Sequence, residues 1–253
     1  MKEQSDKTVN RIIFFAAPIL LLLFWQVSGD LGILNGAIMP TPVEIFSTFC
    51  ELVRNGSFIE DFGASIGRVF FGFIFGTLAG LLFGILTGLY PKINSAVGAI
   101  FGILRPIPMI GLVPLMILWF GIGEKSKIIV IAVGTFWSVL LNTQDGIANA
   151  SKKLIEVAKM LEKDKLTVLT KIVLPAAVPS IFTGVRLGVG TAWKSVVAAE
   201  MLAATKGIGH MIEYARELAQ PGKMFVGLLS IGIIGIFIDV VIIHLQKRLI
   251  TWE

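Results

Sequence analysis

VFFGFIFGTLAGLLFGILTGL, residues 69 to 89, contains no charged side chain. A helix needs about 20 predominantly apolar residues to cross the hydrocarbon core of a bilayer, and this stretch is long enough. Gly72, Gly76, Gly80, Gly84 and Gly88 fall at every fourth position. Four residues of α-helix overshoot a full turn by about 40°, so the glycines form one slanting ridge without side chains. Apolar side chains gain little by leaving lipid, and a bare ridge lets a second helix backbone come close. The pattern predicts helix packing inside a bundle. A gate or pore lining is the functional reading of the same surface.

Outward from this stretch the chain repeats the theme. Of its 253 residues 55% are hydrophobic and 15% charged, with a mean hydropathy of +0.84; soluble domains carry about 25% charged residues. Apolar runs predict six transmembrane helices, at 12–28, 69–89, 96–120, 128–141, 181–204 and 225–245. The third is interrupted by Pro106, Pro108 and Pro114. Residues 29–68 read as a polar stretch. The first span follows a polar N-terminus without an A-x-A site, so it is expected to be retained rather than cleaved. The fold class is thus an all-α integral membrane protein, one transmembrane domain over 1–253.

The net charge of +5 has its ordinary membrane-protein explanation, and no nucleic acid is expected as a partner. Lys152, Lys153, Lys159, Lys163, Lys165 and Lys171 crowd residues 142–180, which places that loop in the cytoplasm. Six spans then put both termini there too. Lys2, Lys7, Arg11, Lys92, Lys247 and Arg248 fall on the same side. Arg54, Arg68, Lys125, Lys127, Lys206, Arg216 and Lys223 fall on the other.

Catalysis finds little support. Cys50 is the only cysteine, and His210 and His244 are the only histidines, so no cysteine-based metal site is possible and none of another kind is expected. No H-E-x-x-H or P-loop G-x-x-x-x-G-K-[ST] occurs. Ser195 beside Lys194 lacks a glycine-rich context. Any energy from ATP must come through a partner, and no cofactor is expected in this chain.

The loop SKKLIEVAKMLEKDKLTVLTKIVLPAAVPS, residues 151–180, reads as two short helices meeting at an elbow near Glu162, Lys163 and Asp164. Ser151 is a candidate N-cap. Leu154, Ala158 and Leu161 form one apolar stripe. Asp164 could cap the second helix, which Pro175 is expected to end. Too charged to span, such an elbow is shaped to dock into another protein.

Here a resemblance becomes specific. Glu156, Ala158, Leu161, the run Val173 to Ala177, Pro179, Gly184 and Arg186 resemble the "EAA" loop of ABC-importer permeases. The variant is similar to the nitrate/sulfonate/taurine/bicarbonate family, closest to aliphatic sulfonate permeases. AWKSVVAAEML (192–202), GIGHMI (207–212), LRPIPMIGLVPLMILWFGIGEKSK (104–127) and MPTPVEI (39–45) fit the same family in order. The resemblance implies a type I importer permease in a bacterial cytoplasmic membrane. Its implied partners are the lipid bilayer, a second permease copy, two ATPase subunits holding ATP and Mg, and an external binding protein. It assigns ATPase coupling to Glu156, Ala158, Leu161, Glu162, Lys163 and Asp164. Glu156 also has a local reading, pairing with Lys152, Lys153 or Lys159 on the helix surface. This chain has Glu162 where the family has an elbow glycine, and Val157 for the second alanine of the motif. A left-handed elbow would strain Glu162 by about 1 kcal/mol; otherwise the elbow differs in geometry.

Charges inside spans usually face the bundle interior or a water-filled path. Lys194 and Glu200 lie deep in the fifth span, about 240° apart around the helix, so they cannot share a face. Lys194 is the leading candidate to meet an anionic substrate, with an ion pair to Asp239 as its alternative. Arg105 and Arg186 either line the pathway or snorkel from its ends. The substrate expected is an aliphatic sulfonate, taurine, nitrate or bicarbonate. A thiamine-precursor or riboflavin-like nutrient is the alternative cargo, and a secondary transporter or channel without an ATPase the alternative function.

Overall fold

The computed structural model describes residues 2–150 and 152–249; the expected N-cap Ser151 and the expected interfacial Trp252 lie outside them. Among the described residues every regular element is helical. In order they are α1 (Lys2–Asp30), α2 (Pro42–Arg54), α3 (Ser57–Leu89), α4 (Pro91–Leu104), α5 (Met109–Phe120), α6 (Glu124–Ala148), α7 (Lys152–Met160), α8 (Lys165–Val168), a π-helical turn (Leu169–Val173), α9 (Leu174–Ala203), α10 (Ile208–Glu217) and α11 (Pro221–Leu249). They form two compact units, one of Met1–Glu60 with Met211–Ser230, the other of Asp61–His210 with Ile231–Glu253.

In the first unit, the stretch expected to be merely polar holds an amphipathic helix. Thr41 caps α2: its hydroxyl accepts from the Glu44 N–H at 3.3 Å, and its own N–H donates to Glu44 Oε2 at 2.8 Å. With Pro42 in the first turn, this capping box fixes where the helix starts. α2 buries Ile45 and Leu52. Trp25 of α1 packs on Phe225 of α11, ring centroids 5.7 Å apart.

The second unit is organised by the glycine ridge. A Cβ added at Gly72 would meet Ile131 Cβ at 2.5 Å, one at Gly76 Thr135 Cβ at 2.6 Å, one at Gly80 Val139 Cβ at 2.8 Å, one at Gly84 Thr143 Cβ at 2.6 Å, and one at Gly88 Ile147 Cδ1 at 3.0 Å. The ridge is therefore occupied by α6. Partners on both helices climb together in steps of four, so α3 and α6 run parallel in contact over about 24 Å. Parallel neighbours require the chain between them to cross back once. Only α4 and α5 lie between, joined at a bend of 102°.

That bend falls at Arg105–Pro108, where Pro106 and Pro108 lack amide donors and so cannot continue the helical hydrogen bonds, although Arg105 itself keeps helical dihedrals, φ −58° and ψ −42°. Pro114, also expected to interrupt the span, sits inside α5 without ending it. α9 returns antiparallel to α6: Gly146 packs on Ala177 and Ser180, Gly184 on Asn142, and Gly188 on Thr135.

Among the described residues four segments are long and apolar enough to cross a membrane: Ser57–Leu89, Glu124–Ala148, Lys165–Leu202 and Pro221–His244. The bent α4–α5 pair makes a fifth if it counts as one span, and Ala16–Asp30 is a shorter apolar helix. The first five overlap in sequence the second to sixth expected spans, and the shorter helix overlaps the first. Large apolar side chains cover the outside as well, including Phe70, Phe75 and Leu78 of α3 and Ile233, Ile236 and Phe237 of α11. An apolar exterior this extensive suits lipid rather than water.

One expectation about the loop is corrected. Pro175 does not end the second short helix: α8 continues through the π-helical turn into α9. The Leu174 N–H donates to Leu169 O, five residues back, and this wider turn lets the helix pass a residue with no N–H of its own. The apolar stripe of Leu154, Ala158 and Leu161 is partly buried. Ala158 is buried and Ile155 packs with Ile147, Ala150 and Val173, while Leu154 and Leu161 are exposed.

Candidate functional site

The elbow is built from local chemistry. α7 closes with Glu162 in the left-handed region, φ 52°, and the Lys163 N–H donates to Ala158 O at 3.0 Å, the long bond of a Schellman close. Glu162 thus takes the conformation that favours glycine, at about 1–2 kcal/mol. Asp164 then caps α8, its carboxylate accepting from the Thr167 N–H at 3.0 Å. Glu156 is exposed. Val157, Met160, Leu161 and Leu166 are 52%, 84%, 64% and 67% exposed, an apolar rim around the elbow on a segment too charged for lipid.

Thr167, through its side chain and then its backbone N–H, holds the Asp164 carboxyl below its ordinary value of 3.8. A carboxyl lowered on folding stabilises above its unfolded value and loses that contribution as pH falls below it. The Thr167 amide is therefore expected to keep its hydrogen-exchange protection at about pH 5, after correction for intrinsic rates, and to lose it progressively as pH falls below 3.8 toward about pH 2. Unchanged protection across that window would show that the cap does not depend on the charge.

The charges in the spans separate as their angular spacing requires. Arg105 caps α4 beside a cavity of about 180 Å³ lined also by Asn94, Trp137 and Gln144. Arg186 Nε and Nη2 both donate to Asp239 Oδ1, at 3.1 and 3.0 Å, so the partner considered for Lys194 belongs to Arg186. Lys194 is exposed. Glu200, on a different face of α9, is 1% exposed.

Glu200 sits in an ionic clasp that joins α3, α6, α9 and α10. Arg68 Nη1 donates to Glu200 Oε1 at 2.7 Å and to Lys206 O at 2.6 Å. Arg68 Nε and Nη2 meet Glu124 Oε2 and Oε1 at 2.6 and 2.9 Å, and Lys127 Nζ meets Glu124 Oε1 at 2.7 Å. Ser65 Oγ lies 2.8 and 2.9 Å from the two Glu200 oxygens.

The start of α10 completes the clasp. The N–H groups of Gly207, Ile208 and Gly209 donate to Asp61 Oδ1, Ser65 Oγ and Glu200 Oε2 at 2.8, 3.0 and 2.9 Å. A helix N-terminus carries unpaired donors and partial positive charge, which carboxylates satisfy. Gly207, at φ 127°, leaves no room for a Cβ against the Glu200 carboxylate.

Arg68, Glu124 and Ser65 are absent from the sequence-derived candidates because Arg68 was assigned to a polar loop. A signal existed: Asp61, Ser65 and Arg68 are spaced four and three apart, a polar stripe on one helical face. Their partners on α6, α9 and α10 had no such local signal.

A family model described as "Binding-protein-dependent transport system inner membrane component" matches residues 76–251. Over 236 residues the chain is 38% identical to the putative aliphatic sulfonates transport permease protein SsuC of Bacillus subtilis (strain 168), covering 93% of this chain and 86% of that one. Over 240 residues it is 31% identical to the taurine transport system permease protein TauC of Escherichia coli (strain K12), covering 93% and 87%. In fold it is similar to an inward-facing MetNI methionine ABC transporter structure, with TM-score 0.64, 20% identity, and coverage of 73% of this chain and 92% of that one. The apolar helices, the helical elbow and these matches agree: the chain belongs to the binding-protein-dependent inner-membrane transport family and is the multi-pass transmembrane subunit of an ABC importer.

Proposed function

We propose that this subunit carries a small anion of the aliphatic sulfonate class, with taurine, nitrate and bicarbonate as close relatives in size and charge. The cargo reaches it from an external binding protein. Two copies of the chain form the pathway, with both termini and the elbow in the cytoplasm. Two ATPase subunits dock on the elbows and supply the ATP and Mg chemistry. Relatives named for sulfonate and taurine transport support the cargo.

The observation that carries the coupling role is the apolar rim of Val157, Met160, Leu161 and Leu166 around the left-handed Glu162. Ile155 packs α7 on the cluster of Ile147, Ala150 and Val173, so force on the rim reaches a span through packed side chains. ATP-driven closure of the ATPase pair would then rock the spans as rigid bodies.

The test is co-purification. The tagged chain is expected to bring down an ATPase subunit at about one per permease, and the double variant M160D/L161D to lose at least about tenfold of it. Each buried side chain of this kind contributes about 1.5–3 kcal/mol to an interface. Both side chains are exposed, so helical content and detergent stability should not change. Full ATPase recovery by the variant would remove the elbow from the coupling path. Solute movement by the chain alone, without ATP, would favour a secondary transporter.

A further inference from the structure

α9 and α11 enclose a groove of about 340 Å³ lined by Arg186, Leu187, Trp193, Lys194, Ile238 and Asp239, among others. Its depth in the span sets its chemistry. Lys194 is separated from the end of α9 at Ala203 by about 13 Å of helix, farther than a four-carbon stem carries an ammonium to an interface. A charge so placed is held only where water or an opposite charge meets it. Arg186 is already matched by Asp239, at 3.0 Å. Lys194 is exposed and makes no ion pair among the described residues, so the groove presents one uncompensated positive charge.

The walls suit a small amphiphilic ligand. The Trp193 ring, buried at 3% exposure, is pinned by its Nε1–H, which donates to Ile231 O at 3.0 Å, and it holds the inner side of the groove in place. A Cβ added at Gly190 would meet nothing within 4 Å, so the groove floor stays open on that turn. Leu187 and Ile238 add apolar surface beside the cation.

We propose that this groove is an anion subsite of the passage: Lys194 Nζ receives the anionic head of the cargo, and Leu187 and Ile238 receive its carbon chain. The inference rests on the import reading above. An ammonium is a compact point charge with three rotatable donors, so it accepts a monoanion's oxygens in several orientations. That suits a station a ligand must leave as readily as it enters.

The test uses the whole importer, with its co-purified ATPase and binding protein, in proteoliposomes. C50S removes the only cysteine and should leave ethanesulfonate uptake unchanged. In that background K194C is expected to lower uptake at least tenfold while binding-protein-stimulated ATP hydrolysis persists. Its thiol should react with the anionic reagent 2-sulfonatoethyl methanethiosulfonate, more slowly when excess ethanesulfonate is present. Treatment with 2-aminoethyl methanethiosulfonate, which places an ammonium on the thiol, should restore uptake, and neutral methyl methanethiosulfonate should not. An unreactive thiol, undiminished uptake, or equal rescue by the neutral reagent would overturn the subsite. If the C50S importer itself moves no ethanesulfonate, the sulfonate import reading falls, and the subsite's cargo with it, whatever K194C does.

Discussion

Valine in place of Gly80 is expected to destabilise the bundle by about 3 kcal/mol, against a total stability on the order of 5–15 kcal/mol. Its Cβ would lie 2.8 Å from Val139 Cβ and 2.9 Å from Phe136 O. The second of these is backbone inside a helix and cannot move aside as a side-chain tip can. Relief would require α3 and α6 to separate along a ridge that every fourth residue closes. Gly67, on the same helix with nothing within 4 Å of an added Cβ, is the control. There G67A should be neutral or stabilising by up to about 1 kcal/mol, the ordinary preference of a helix for alanine. Unfolding midpoints in detergent, by circular dichroism, measure both. Equal midpoints for G80V and the parent would mean that the helices do not meet along the ridge.

Breaking the ionic clasp is the second large effect, and it should be asymmetric. Among the described residues Arg68 is the only ion-pair partner of Glu200, whereas Arg68 also has Glu124. R68M strands a carboxylate whose side chain is fully buried, which typically costs about 3–5 kcal/mol. E200Q leaves Arg68 its bond to Glu124, and an amide oxygen can still accept from Ser65 or Gly209, so about 1–2 kcal/mol is expected. R68M/E200Q no longer buries an unpaired charge and should fall well short of the sum of the single variants, by at least about 1.5 kcal/mol. The same unfolding measurement decides it; additive losses would show that the pair does not interact in the folded protein.

The elements legible from the sequence are those with local causes. The uncharged run 69–89 is a membrane-length helix because its own backbone satisfies its hydrogen bonds. The elbow at Glu162–Asp164 was legible because a charged break, a candidate N-cap and helical spacing coincide within a few residues. The departure at Glu162 set out two outcomes, altered geometry or strain, and φ 52° selects strain. Pro175 was misread because proline ends a regular α-helix, while a π-helical turn just ahead of it absorbs the missing donor. The capping box at Thr41 and Glu44 was equally local but lay inside a stretch dismissed for its polarity.

By itself the sequence determined that this protein spans a membrane, that α3 offers a bare face to another helix, and that a charged helical elbow stays out of the lipid. Hydropathy, glycine spacing and turn chemistry each act over one or two helical turns, so they are written in contiguous residues. Only the tertiary structure decided that α6 fills the glycine ridge, that Asp239 pairs with Arg186 rather than Lys194, and that Glu200 belongs to a clasp with Arg68 and the start of α10. Those choices join residues 53 to 143 positions apart. Which buried charge meets which is fixed by how the helices pack, because a low-dielectric interior penalises every arrangement that leaves one unpaired.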